Sequence, residues 1–183
     1  FKTFDKIKEE TKAADEKYFK LKKELSLKDE VLYITAQEHS LPSSMLAMIK
    51  YIKTEKNDYK QIVVANSENK AECEDRLKRY NFSDVTVIGS DNEEYIKALC
   101  EAKYIFSDRA LEYFFEIKEG QKYINLQTDC ISAKMAKKRE MEYFEFATAQ
   151  KSIIASSASV YLNEVSQNSF EKAYRCEMLP TST

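Results

Sequence analysis

His39 is the chain's single histidine and stands in Ala36-Gln-Glu-His-Ser-Leu-Pro. Imidazole is the one side chain whose ordinary charge change falls near neutral pH. In a loop after a strand, His39 could move a proton or contact a phosphate; as a solvated loop residue it would do neither. Glu38 beside it could raise the imidazole pKa. A second candidate is Thr128-Asp129-Cys130. Asp129 could serve as a base or hold a substrate hydroxyl, or simply cap a turn. Cys130 has no histidine near it in sequence, so a thiolate nucleophile fits poorly. A third is the basic cluster Lys134, Lys137, Lys138 and Arg139, followed by Met141, Tyr143, Phe144 and Phe146. It could touch anionic lipid or an acidic polymer, or be a solvated helix face over a core stripe.

Other chemistry is excluded by what is missing. Four cysteines at 73, 100, 130 and 176 form no CxxC pair and have no histidine partner, so neither a zinc site nor any other metal site is expected. Two glycines, Gly89 and Gly120, cannot assemble GxGxxG or GxxxxGK[ST], so no nucleotide cofactor is expected either. With 29 Lys and Arg against 31 Asp and Glu, the formal charge is −2, and nucleic acid is not an expected partner. Reduced cysteines and the lack of a signal peptide point to a reducing, cytoplasmic setting. Because the chain opens with Phe1 and not Met, excision from a longer polypeptide is expected.

The elements that must position these groups follow from periodicity. Phe4, Ile7, Thr11, Ala14, Tyr18, Leu21 and Leu25 recur at spacings of three and four, the stripe of an amphipathic helix. Parallel self-pairing would set Glu10 against Asp15 and Lys17 against Lys22, so the stripe is expected to pack on its own domain or on an upstream one. From Val31 onward, runs rich in β-branched and aromatic residues alternate with helical stretches. The strands are expected at Val31–Ala36, Gln61–Asn66, Val85–Gly89, Lys103–Asp108, Lys122–Thr128 and Lys151–Ser157. Between them, helices are expected at Pro42–Lys56, Asn69–Tyr80, Asn92–Ala102, Ala110–Ile117 and near Ala133–Thr148, with a last one at Val160–Phe170. The strand runs are continuous rather than alternating, as when helices cover both faces of a parallel sheet. The expected fold is therefore α/β, a Rossmann-like, doubly wound, mostly parallel sheet of about six strands with an extra amino-terminal helix. Residues 1–30 form the helix and linker, and 31–183 the Rossmann-like domain. Right-handed crossovers bring Ala36, Asn66, Gly89, Asp108 and Thr128 to one sheet edge, where such folds bind ligands.

Particular residues then carry a likeness. Cys100-Glu-Ala-Lys-Tyr-Ile-Phe-Ser-Asp, Tyr113-Phe-Phe and Glu119-Gly-Gln-Lys-Tyr-Ile-Asn resemble the amino-terminal half of CDP-glycerol glycerophosphotransferases, the teichoic-acid primases and polymerases. Lys151-Ser-Ile-Ile-Ala-Ser-Ser resembles the strand before that family's interdomain junction. The resemblance spans residues 31–183. It implies one wall of a two-domain GT-B arrangement, with the acceptor presented here and a CDP-linked donor held by a carboxyl-terminal domain outside this chain. It also implies cell-wall or capsular polymer synthesis, a phosphopolymer acceptor, and a peripheral place at the inner face of the membrane. The family's Trp, His and Gly fall on Gln127, Thr128 and Asp129. Threonine cannot accept a proton at neutral pH, so His39 or Asp129 is the base the resemblance leaves. Gln121, Asn125, Thr128 and Lys134 are the substrate-binding residues it implies. The isolated chain is expected to be inactive, and loss of the family histidine implies a catalytically degenerate relative. The other reading is a non-catalytic α/β interaction module that docks through its amino-terminal helix.

Overall fold

The structure is a computed structural model and describes residues 4–35, 41–56, 58–66, 68–90, 93–127 and 143–176. The elements run α1 (Phe4–Glu24), β1 (Lys28–Ile34), α2 (Ser43–Glu55), β2 (Lys60–Ala65), α3 (Lys70–Arg79), β3 (Thr86–Gly89) and α4 (Glu93–Glu101). They continue through β4 (Ala102–Ser107), β5 (Lys122–Gln127), α5 (Tyr143–Ala155), β6 (Ala158–Tyr161) and α6 (Glu164–Tyr174). The six strands form one sheet in the order β3-β2-β1-β4-β5-β6, with every neighbouring pair parallel. The chain winds outward from β1 to β3 and then returns to place β4 on the other side of β1. The strand order thus reverses between β1 and β4, which is where open α/β sheets form their crevice.

Helices on both faces explain the continuous apolar strands. Val31, Leu32, Tyr33 and Ile34 are all fully buried, and they divide between two cores. Leu32 and Ile34 pack with Tyr95 and Leu99 of α4, while Val31 and Tyr33 pack with Met45 and Ile49 of α2 and Leu77 of α3. The carboxyl half of α1 belongs to the first of these cores. Tyr18 is 1% exposed; its hydroxyl donates to the Glu116 carbonyl at 2.8 Å and accepts from the Glu116 amide at 3.2 Å. Ion pairs Lys22–Glu116 (2.8 Å) and Lys17–Glu93 (2.6 Å) flank it, and each lowers the pKa of its glutamate. Among the described residues, no helix is long and apolar enough to cross a membrane.

Five strands fall within a few residues of the expected runs, and the sixth does not. Lys151–Ser157 was expected as a strand, but it forms the end of α5 and its exit, and β6 follows at Ala158–Tyr161. A short apolar run satisfies either period. The burial settles it: Ala149 and Ser152 are buried three residues apart, while Lys151 and Ile154 are exposed, which is helical spacing. The helix expected near Ala133–Thr148 accordingly starts later, at Tyr143, and α6 is shifted from Val160–Phe170 to Glu164–Tyr174. Ala110–Ile117 is not a helix but a turn-containing loop. Apart from one turn bond, from the Phe115 amide to the Glu112 carbonyl at 2.9 Å, and the Arg109 side chain's bond to the Ala110 carbonyl, the backbone groups that pair find distant partners. The Leu111 amide donates to Ser152 Oγ at 3.0 Å, the Tyr113 carbonyl accepts from Lys151 Nζ, and Glu116 is held at both ends by Tyr18.

Candidate functional site

The carboxyl end of β1 and that of β4 are tied together at the point where the strand order reverses. Thr35 Oγ1 donates to Asp108 Oδ2 at 3.2 Å, and the Asp108 amide donates to the Ile34 carbonyl at 3.3 Å. Ser107, fully buried as the last residue of β4, donates through its hydroxyl to the Arg109 carbonyl (2.8 Å) and accepts from the Arg109 amide (3.3 Å). That short-range pairing turns the chain sharply, so Asp108 and Arg109 project at the sheet edge. Leu111, bonded to Ser152 Oγ, closes the other end of the turn, and Ser152 is itself 2.9 Å from the Tyr123 hydroxyl.

Beside this turn lies a cavity of about 100 Å³ whose polar floor is Asp108, Arg109, Asn125 and Gln127, with Phe170 and Tyr174 of α6 as an aromatic side. Asn125 and Gln127 lie two apart on β5 and so share a face. Gln127 Nε2 donates to Asn125 Oδ1 at 2.7 Å, which leaves the Asn125 amide group, on a residue only 3% exposed, at the cavity floor. The Arg109 guanidinium is held from behind. Its Nη2 donates to Glu112 Oε1 (3.0 Å) and to the Tyr95 hydroxyl (3.3 Å), its Nη1 donates to the Ala110 carbonyl (3.1 Å), and Tyr95 donates to Glu112 Oε2 (2.5 Å). Burial, helped by the Glu112 charge, pushes the Tyr95 hydroxyl well above its ordinary pKa and keeps it a neutral donor. Arg109 Nε is buried with no hydrogen-bond partner. A positioned guanidinium, an amide and an aspartate in one concave place suit a ligand with both a phosphate and hydroxyls.

The opposite, amino edge also holds a cavity, about 240 Å³, lined in part by Lys28, Glu30, Lys60 and Glu101. Four of its charged residues pair with each other, Lys28 with Glu101 at 2.6 Å and Lys60 with Glu30 at 3.2 Å, and Glu94 and Lys97 line it as well. Among the described residues, no group of three or more His, Cys, Asp or Glu could hold a metal ion.

Of the residues singled out from the sequence, Asn125 lies in the cavity floor at the carboxyl edge. Gln121 sits at the other end of β5, 3% exposed. Its Nε2 donates to the carbonyls of Leu99 (3.0 Å) and Ala102 (2.7 Å), and its Oε1 accepts from the Lys118 amide (3.2 Å). Its hydrogen-bonding capacity is used on the backbone where α4 meets β4. The structure therefore does not bring Gln121 and Asn125 together. His39, Thr128, Asp129 and Lys134 lie outside the described residues, as do Lys137, Lys138 and Arg139. Of the aromatics that follow them, Phe144 is 62% exposed and Phe146 stacks on Tyr174 at 6.0 Å. Arg109 and Glu112 were not anticipated as site residues. The available signal was Ser107-Asp-Arg directly after a strand, but its weight depends on that strand lying beside β1.

Comparisons with known proteins agree with this architecture. The family profile described as CDP-Glycerol:Poly(glycerophosphate) glycerophosphotransferase matches residues 17–180. Solved structures of the wall teichoic acid polymerase TagF share the fold. A histidine-to-asparagine variant aligns with TM-score 0.60 at 13% identity, covering 88% of this chain and 40% of that one. The same variant soaked with CDPG for 30 minutes gives 0.60, 13%, 88% and 41%, and TagF itself gives 0.55, 14%, 81% and 36%. This chain therefore spans about two fifths of the length of the structures it matches. No curated protein sequence matches it.

Proposed function

This chain belongs to the CDP-glycerol:poly(glycerophosphate) glycerophosphotransferase family, and from that premise we propose that it is the acceptor-side wall of a GT-B-like transferase cleft in cell-wall or capsular polymer synthesis. A donor-binding domain elsewhere in the parent protein would supply the other wall. In the transfer, an acceptor hydroxyl attacks the glycerol-bearing phosphorus of a CDP-linked donor. One phosphorus–oxygen bond forms, the bridge to CMP breaks, and the hydroxyl proton passes to a base. Orientation and charge stabilisation dominate such a reaction. Arg109 would hold a phosphate of the acceptor, with its direction set by Glu112 and Tyr95. Asn125 and Asp108 would hold hydroxyls. His39 or Asp129 would take the proton, because Thr128 at the position of the family's histidine cannot.

The observation that supports this reading is the polar cavity of Asp108, Arg109, Asn125 and Gln127 at the edge where the strand order reverses. Titration of the full chain with sn-glycerol 3-phosphate and short glycerol phosphate oligomers tests it. Binding should weaken by about tenfold or more in Asn125→Asp, a near-isosteric change that keeps the acceptor for Gln127 and adds a charge facing the phosphate. Unchanged binding in that variant, or turnover of CDP-glycerol by the isolated chain that is abolished by Asp129→Ala, would refute the proposal.

A further inference from the structure

Side-chain alternation along three strands builds the cavity at the sheet's amino edge. Glu30 pairs in register with Lys60, and Ile62 with Thr86, so β1, β2 and β3 turn these residues to one face. It is the face on which Ile62 and Ile88, 4% and 7% exposed, share a core with Leu99 of α4. From above, α4 adds Glu94, Lys97, Ala98 and Glu101, whose spacings of three and four put them on one side of the helix. The cavity thus has an apolar lining of Ile62, Ile88 and Ala98 beside a charged wall. At about 240 Å³ it lies below the roughly 300–1,000 Å³ of drug-sized ligand sites, so it suits a smaller molecule.

The charges of that wall fall into two kinds. Glu30 and Glu101 are only 8% and 6% exposed, and each holds one lysine, Lys60 and Lys28 respectively. A carboxylate buried without such a partner would be costly, so these two pairs belong to the framework, and together they add no net charge. Glu94 and Lys97 differ. Among the described residues, neither has an ion-pair or hydrogen-bond partner. The cavity therefore offers one free anion and one free cation, about 4.5 Å apart along the helix axis, next to an apolar surface.

We propose that this cavity binds a small zwitterion, an α-amino acid with an aliphatic side chain: its carboxylate meets Lys97, its ammonium meets Glu94, and its side chain lies on Ile62 and Ile88. Charge selects this ligand over others. A simple anion would face Glu30, Glu94 and Glu101, and a simple cation would face Lys28, Lys60 and Lys97. A metal ion lacks ligands, since among the described residues no group of three or more His, Cys, Asp or Glu could hold one. An uncharged apolar molecule would strip water from both free charges and give nothing back. A zwitterion satisfies both and sets its apolar part on the apolar lining. This cavity lies at the sheet edge opposite the acceptor cavity, so the inference stands apart from the acceptor reading.

Amide chemical shifts of the full chain, titrated with L-valine to about 50 mM, test this, because millimolar binding is measurable there. The shifts should gather on α4 and the amino halves of β2 and β3. Isobutylamine, which lacks the carboxylate, and 3-methylbutanoate, which lacks the ammonium, should each bind about threefold more weakly, the effect of losing one solvent-exposed ion pair. Glu94→Gln should erase the preference for valine over 3-methylbutanoate, and Lys97→Gln the preference over isobutylamine. Neither change should lower the melting temperature, since neither side chain is tied to another described residue. Asn125→Asp should leave valine binding unchanged while weakening that of glycerol phosphate, so the two readings fail separately. No shifts at these amides, equal binding of valine and both analogues, inorganic phosphate binding there more tightly than valine, or variants that keep both preferences would overturn the proposal.

Discussion

Replacing Gln121 by alanine should destabilise the fold without touching ligand binding. The side chain is 3% exposed and closes three hydrogen bonds, to the carbonyls of Leu99 and Ala102 and from the amide of Lys118. Each buried group left without a partner costs about 1–3 kcal/mol. Carbonyls keep a second lone pair, and water can enter the vacated space near the sheet's amino edge. The net cost is therefore about 3 kcal/mol, nearer one full loss and two partial ones than three full ones. At about 2–4 °C per kcal/mol for a chain of this length, the melting temperature should fall by roughly 6–12 °C, with a lowered urea midpoint at unchanged slope. Gln121→Glu sharpens the test. At neutral pH it turns a carboxylate toward two carbonyl oxygens, which raises its folded pKa above the unfolded value of about 4.3. The folded state then binds more protons than the unfolded one, so this variant should gain stability as pH falls from 7 toward 5. The native carboxylates have the opposite sign: Glu116, held low by Lys22, contributes stability that is lost as pH falls through its folded pKa. Circular dichroism melts of both variants across that pH range are the assay. An alanine variant within about 0.5 kcal/mol of the parent, or a glutamate variant with the parent's pH slope, would refute the assignment of Gln121 to the framework.

Two more outcomes follow from the packing. Tyr18→Phe removes the bond to the Glu116 carbonyl and leaves the Glu116 amide unpaired, so it should cost about 1–2 kcal/mol. Hydrogen exchange should speed up in α1 before it does in the sheet, and equal acceleration in both would show that α1 is not separately anchored. Burial pushes the Cys100 thiol up to about 11 and raises Cys73 as well, while Cys176 is half-buried. In a Cys130→Ser background at pH 8, maleimide should label Cys176 well before either buried thiol, and mass-resolved labelling of Cys73 or Cys100 first would contradict the fold.

What one strand and its neighbours in sequence could specify was legible. Continuous runs such as Val31–Ile34 and Gln61–Ala65 marked strands buried on both faces, and the stripe through Tyr18 and Leu21 marked α1, because side-chain periodicity is a local property of the backbone. Local period failed where distant partners set the conformation. Ala110–Ile117 carries a helix-like pattern, yet Ser152, Lys151 and Tyr18 claim its backbone groups, and Ser152–Ala155 reads equally as strand or helix until α5 packs. The candidate site belongs to this second kind. Asn125 was visible in a motif, but its worth depends on β5 lying beside β4. Arg109 and Glu112 became site residues only because β4 returns next to β1 and turns its carboxyl end into a crevice. Strand order arises from contacts between segments far apart in the chain, and no local spacing records which strands become neighbours.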